Sequence, residues 1–254
     1  MKRWRSRPSK RAVSKRILAS KTGNGQASTR LVRETLSRRL CSLITNGTYK
    51  PGDRITEREI SERLKASRPS IRETLRQLEA EGLLDIFPNR GAVVRTLDLT
   101  VFLELWEVRL ALETLIAERF ARHGTAAQIE RFERAIESMD AALRAKDRTQ
   151  IRTAKSSMFE AFGGGASNAM LVAYFQQLNV RLSFLWSSSL SIPGRPAESI
   201  GELRALAAAI RNRNPEAARA AVILYNEHSK ASAMYALRSF IDSQEKANGG
   251  RNRR

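Results

Sequence analysis

Three arginines carry the first chemistry legible in this 254-residue chain. Arg68, Arg72 and Arg76 stand four apart, so on a helix they share one face. An arginine fork reaches O6 and N7 of guanine together, which makes such a face a reader of base edges. Ser67 and Ser70 flank the first of them, and Arg58 lies a short segment upstream. Glu73 and Glu79 are near enough to neutralise part of the row as an ordinary solvated surface. A second pair of cations, Arg109 and Arg181, falls inside apolar periodic segments. There an arginine either faces solvent or grips a carboxylate bidentately. Enzymatic chemistry has little to work with, since His123 and His228 are the two histidines and Ser187-Ser188-Ser189 has no matching His and acid. The run Gly163-Gly164-Gly165 lacks the Gly-Lys-Ser/Thr of a phosphate loop and reads as a helix terminator. A single cysteine, Cys41, excludes a disulfide framework and a cysteine zinc site, and fits a reducing compartment.

The elements that must position the arginines follow from punctuation. Leu36, Leu40, Leu43 and Ile44 predict a helix from about 30 to 45, entered at Ser28 and Thr29 and ended at Gly47. Pro51-Gly52 turns the chain, and Ile55 sits in a short extended piece. Thr56 caps a helix carrying Ile60 and Leu64, with Glu59 completing a capping box. Ser67, Arg68 and Pro69 break that helix and start another, whose inward face is Ile71, Leu75 and Leu78. Two short helices joined by a tight turn form a helix-turn-helix, whose second helix enters the major groove. The apolar pairs Leu83-Leu84, Ile86-Phe87 and Val93-Val94, around Pro88-Asn89-Arg90-Gly91, predict a β-hairpin wing. Arg90 would reach a minor groove or a phosphate, and Gly91 would let the backbone approach a partner closely.

Charge divides the chain. Its net +19 is concentrated at the ends: residues 1–29 hold nine Lys and Arg and no acid, whereas residues 97–242 hold 18 basic groups against 16 acids. This predicts a basic disordered tail over 1–27, a DNA-binding head over 28–96, a near-neutral body over 97–242 and a basic tail over 243–254. The first tail reads as a solvated segment, as an arm that displaces counterions from phosphate, or as an organelle transit peptide. No apolar run approaches the roughly 18 residues that span a bilayer, and no secretion signal opens the chain, so the expected location is cytoplasmic, away from membranes.

The body reads as helices throughout. Val101, Leu105, Val108, Leu112 and Leu115 share one face, and Ile129, Phe132, Ile136, Met139 and Leu143 another. Ile151, Ala154, Met158 and Phe162 form a third set; Leu171, Tyr174, Leu178, Leu182 and Leu185 a fourth. After the loop Ile192-Pro193-Gly194 come Leu203, Leu206 and Ile210, then Ala218, Val222 and Tyr225 behind Asn214-Pro215. The fold class is therefore mainly α, an N-terminal winged helix-turn-helix followed by an all-α antiparallel bundle whose interior would take a small ligand.

The run Tyr49 to Glu57, the stretch Leu64 to Arg76, Glu81-Gly82-Leu83-Leu84 and Asn89-Arg90-Gly91 together resemble the winged helix of the GntR family, across essentially all of 28–96. Trp106 to Glu113, Ala166 to Leu171, and Glu202 to Ile210 with Asn214 to Ala221 are similar to that family's helical effector domain, the FCD domain, over about 98–230. The resemblance implies DNA contacts at Arg58, Ser67, Arg68, Ser70, Arg72, Arg90 and Gly91. Lys65 stands where the family usually has Gly, and Pro69-Ser70 reverses its usual Thr-Pro order, either of which would shift the start of the recognition helix.

The resemblance also implies a ligand-responsive bacterial transcription regulator, a repressor bound as a homodimer to a near-palindromic double-stranded operator and tuned by a small-molecule effector, a carboxylate among the candidates. FCD domains often hold a divalent metal on an Asp and a His one turn apart plus two later His. Lys155, Phe159, Leu203 and Tyr225 fall at those positions here, and His228 lies three residues past the last. A cation and two hydrocarbons are no metal ligands. The expectation is a pocket with no metal and no cofactor, lined by Arg109, Lys155, Phe159, Arg181, Leu203 and Tyr225. The alternative is a basic nucleic-acid-binding protein whose bundle is purely structural, with an enzyme a distant third.

Overall fold

The computed structural model describes residues 35–45, 47–87, 91–182, 185 and 192–251. The head comprises helix α1 (35–45), strand β1 (Arg54–Ile55), helices α2 (Glu57–Leu64) and α3 (Arg68–Ala80), and strands β2 (Leu84–Phe87) and β3 (Gly91–Val94). The body comprises α4 (Leu99–His123), α5 (Ala126–Ala145), α6 (Arg148–Gly164), α7 (Ala169–Leu182), α8 (Arg195–Arg211) and α9 (Pro215–Arg251). Both are what the sequence predicts. Among the described residues no helix is long and apolar enough to cross a membrane.

In the head, Thr56 Oγ1 accepts from the Glu59 amide at 3.2 Å and starts α2. The reciprocal half of the expected capping box is missing because Glu59 Oε1 instead accepts from Tyr49 Oη at 2.5 Å. Lys65 ends α2 in the left-handed region at φ 51°, so it takes the conformation that the family's usual Gly would take more easily. Ser67 then caps α3, with Pro in the first turn, and α3 starts at Arg68. The wing is broader than a hairpin. β1 adds to β3, and the sheet order is β1-β3-β2, all antiparallel, with Ile55 opposite Ala92 and Phe87 opposite Gly91. Leu40, Ile55, Ile60, Ile71, Leu78, Leu84 and Ala92 are fully buried and form the head's core.

Two body helices present different faces from those expected. On α4 the buried stripe is Phe102, Leu105, Trp106, Arg109, Glu113, Ile116 and Phe120. Val108 and Leu115, expected inside, are 51% and 44% exposed. The true stripe runs one position round the helix and carries a buried ion pair, which a count of apolar residues scores against burial. On α7 the same thing happens. Tyr174 is exposed, and Phe175 and Asn179 take the inner face with Leu171 and Leu182. The expected tail at 243 does not begin with a break, since α9 continues to Arg251.

The glycine run behaves as a terminator. α6 ends at Gly164, and a Cβ on Gly165 would stand 2.3 Å from the Phe120 ring, so helix ends can meet here only over glycine. Asn168 Oδ1 then accepts from the Leu171 amide at 3.1 Å and starts α7. The body's apolar side chains form two clusters. One contains Leu97, Phe102, Trp106, Leu182 and Leu237, and the larger contains Ile116, Phe120, Phe132, Phe162, Phe175 and Tyr225.

Candidate nucleic-acid interface

The first turn of α3 is built from hydroxyls and guanidinium groups. Ser67 Oγ accepts from the Ser70 amide at 3.4 Å and lies 2.9 Å from Ser70 Oγ, so both serines are committed to the helix start. Arg68 is exposed and makes no ion pair among the described residues. Arg72 does: its Nε and Nη2 donate to Glu57 Oε1 and Oε2 at 2.9 and 3.0 Å. The Arg72 fork holds the Glu57 carboxyl below its usual range, with the charges of Arg68 and Arg76 adding to the effect. Arg76 pairs with Glu73 at 2.8 Å. Glu79, also available by spacing, turns inward and accepts from the Ile86 amide at 3.0 Å. Arg58 is exposed on α2, 3.8 Å from Glu62. Ser67, Arg68, Ser70 and Arg72 thus share the first turns of α3, and the Glu57–Arg72 pair ties them to the first turn of α2, next to Arg58 in sequence.

Gly91 has a reason for being glycine inside the head itself. Its φ is +82°, and a Cβ there would stand 2.6 Å from the Ile55 carbonyl oxygen. The close approach is to the chain's own β1, within the sheet. Arg90 lies outside the described residues, as does the basic segment 1–27.

Between the body's two apolar clusters runs a polar layer. On α4, Arg109 and Glu113 fall between Trp106 in one cluster and Ile116 in the other. Asn179 falls between Phe175 and Leu182 on α7, and Asn226 between Tyr225 and Ala233 on α9. Arg109 Nε and Nη2 donate to Glu113 Oε1 at 2.9 and 2.8 Å, with both side chains 1% exposed. The other Glu113 oxygen accepts from Asn226 Nδ2, and Asn226 Oδ1 accepts from Trp106 Nε1 at 2.5 Å. The Arg109 guanidinium lies 4.7 Å from the Trp106 ring centre and 5.3 Å from that of Phe159. Lys155 is buried with Nζ 5.9 Å from the Phe159 ring centre. Burial, aided by Arg109 and Arg195 and opposed by Glu113, pushes its ammonium down to about 7. Arg195, buried at the start of α8, donates to both oxygens of Glu202 at 2.8 and 2.7 Å. Tyr225 is buried here too, and burial raises its phenol.

Of the six residues expected to line the pocket, the fold places Arg109, Lys155, Phe159, Leu203 and Tyr225 in the buried interior. Arg181 is elsewhere. It ends α7 against the head, where its Nε lies 3.2 Å from the position of a Gly82 Cβ, and burial together with Arg95 lowers its pKa. The neighbouring Val180 packs on the head's core, so this face of α7 turns away from the bundle interior while Asn179 and Leu182 keep the inner one. Glu57, Glu113, Arg195, Asn179 and Asn226 are the functional candidates that sequence reasoning missed. Glu113 alone had a signal, standing four residues after Arg109.

The layer's donor chemistry does not fit the divalent metal of the FCD domain. Phe159 and Leu203 carry no lone pair, Lys155 offers one only after losing its proton, and Glu202, the carboxylate 2.6 Å from His228, is already held by Arg195. Among the described residues no three His, Cys, Asp or Glu gather as a metal site. An open groove of about 600 Å³ lies between α4 and α9, outside Trp106 and Asn226. Glu104, Glu107 and Glu227 line it against Lys230, so it suits an anion less than the buried layer does.

Known proteins agree with this architecture. Residues 30–94 match the family of bacterial regulatory proteins, gntR family, and residues 104–228 match the FCD domain. The chain is 26% identical to the YdhC HTH-type transcriptional regulator of Bacillus subtilis (strain 168) over 190 residues, which is 74% of this chain and 85% of YdhC. It is 30% identical to the Uxu operon transcriptional regulator of Escherichia coli (strain K12) over 152 residues, 53% of this chain and 58% of that protein. The solved structure of E. coli McbR/YncC superposes with a TM-score of 0.73 at 20% identity, covering 80% of this chain and 97% of that one, a likeness of fold. With a winged head that presents arginines from α3 and an FCD body behind it, the chain belongs to the GntR family of bacterial regulatory proteins and is a DNA-binding transcription regulator.

Proposed function

We propose that the protein binds a near-palindromic operator as a homodimer in the cytoplasm, represses from it, and releases it when a small organic anion enters the layer around Lys155. The buried basic side chains of that layer, together with an Asn179 amide that has no hydrogen-bond partner among the described residues, carry the effector reading. Arg109, Lys155 and Arg195 are buried there, Arg109 paired with Glu113, and Arg195 with Glu202 and, at 3.7 Å, with Glu198. Basic side chains buried together can hold a small organic anion among them, because a matching charge offsets the cost of burying them. Asn179 supports the same reading. Its side chain is 5% exposed, and neither its Nδ2 nor its Oδ1 has a hydrogen-bond partner among the described residues. Such an amide can donate to one ligand oxygen and accept from another. Exposed Leu103, Val108 and Leu115 on α4 supply apolar surface for pairing of two copies.

The test is an anisotropy titration on a duplex enriched by the full chain from a randomised pool, repeated with a panel of small mono- and dicarboxylates. At least one should weaken duplex binding by about 5–150-fold, the usual range of allosteric coupling. Lys155→Met should bind the same duplex as tightly and ignore that carboxylate. A panel that moves nothing, or a variant that responds like the parent, overturns the effector reading.

A further inference from the structure

The partner of Arg72 is not on its own helix. Glu57 lies 15 residues earlier, in the first turn of α2, and binds the side edge of the guanidinium through Nε and Nη2. A guanidinium has five N–H groups in one plane. Glu57 occupies the parallel pair on Nε and Nη2, and the parallel pair at the tip, on Nη1 and Nη2, points onward. That tip edge is the one that can still take O6 and N7 of a guanine as two parallel hydrogen bonds. Arg76, by contrast, is tied to Glu73 on its own helix.

We propose that Glu57 is a positioning residue for base reading: it fixes the plane of Arg72 so that the tip edge meets one guanine, and it keeps that arginine off the phosphates. The inference rests on the reading that Arg72 touches base edges. Its logic is a trade between affinity and specificity. A carboxylate beside a DNA groove repels every phosphate alike, so it weakens binding to any sequence. Glu57 does this from a side chain that is one-third exposed, at the mouth of the helix pair. What it returns is orientation. A long exposed arginine without a partner samples many rotamers, most of which can reach a phosphate and few of which meet a guanine edge squarely. Removing Glu57 should therefore raise affinity for random DNA and lower the preference for the operator. A merely structural tie between α2 and α3 would weaken both together.

The test compares the full chain with Glu57→Ala, Glu57→Gln and Arg72→Ala on three duplexes: the one enriched from a randomised pool, its single-base variants at each guanine, and a random duplex of equal length. Glu57→Ala should bind random DNA several-fold more tightly and lose about 10-fold in the ratio of enriched to random binding, the scale of one bidentate base contact. Its salt dependence should steepen by about one phosphate contact as Arg72 swings outward. Glu57→Gln, which keeps one acceptor oxygen, should fall between. Melting should be unchanged, since the pair is exposed. An unchanged ratio in Glu57→Ala while Arg72→Ala loses discrimination at one guanine would leave Arg72 as a reader and overturn the role of Glu57. A proportional loss on both duplexes would also overturn it. An unchanged ratio in Arg72→Ala would remove base reading by Arg72 altogether, and the positioning role with it.

Discussion

Glu113→Ala should lower the unfolding free energy of the body by about 3–5 kcal/mol, the usual result of breaking a buried ion pair from one side. Glu113 is the hub of the buried layer: one oxygen takes both Arg109 bonds and the other takes the Asn226 amide. Without it the Arg109 guanidinium, 1% exposed, keeps only the faces of Trp106 and Phe159. Asn226 also loses an acceptor, and Trp106 Nε1 loses the orientation of its own. Urea unfolding at pH 7 measures the loss. The apolar double variant Arg109→Met/Glu113→Leu should recover most of it, because replacing both charges removes the desolvation as well as the attraction. If the single variant is as stable as the parent, Arg109 finds solvent in a way that its burial denies.

Lys155→Met should do the opposite and stabilise the protein by about 4 kcal/mol at pH 7, a figure that follows from a lysine held near 7 in the fold against about 10.4 when unfolded. The ammonium is buried beside Phe159, and burial, then Arg109 and Arg195, disfavours its charge. Between those two pH values the unfolded chain binds the extra proton and the folded chain does not. Parent stability should therefore climb as pH rises from about 7 to about 10 and stay flat on this account below 7. The Met variant removes both the penalty and the climb, so its advantage should shrink by pH 9.5. Denaturation curves of both proteins at pH 7 and 9.5 provide the check. A gap that does not change with pH would mean that Lys155 is not the titrating group.

The head was legible in the sequence because its signals are local. Thr56, Ser67 and the Pro51-Gly52 turn act within a few residues of themselves, and Ile71, Leu75 and Leu78 are buried as their spacing demands. The body's helices were equally legible, but two of their faces were not. Apolar periodicity locates a stripe to within one helix position, and on α4 the buried position next door holds Arg109 and Glu113, which neutralise one another inside the bundle. Non-local partners left no trace. Glu57 meets Arg72 across 15 residues and Asn226 meets Glu113 across 113, distances over which spacing carries no information. Arg181 failed for a related reason: an arginine on a bundle helix can end its turn against another domain, as this one does beside Gly82.

A head that reads sequence rather than charge alone must tell one duplex from another. Anisotropy titrations of the full chain on an enriched duplex and on a random duplex of the same length, at two salt concentrations, test it most directly. The enriched duplex should bind at least about 10³-fold more tightly at physiological salt, the lower end of specific protein–DNA recognition. Both should weaken with salt, because the phosphate contacts are common to them. Equal affinity for the two duplexes at each salt concentration would contradict the claim, and would leave a basic protein that binds nucleic acid without reading it.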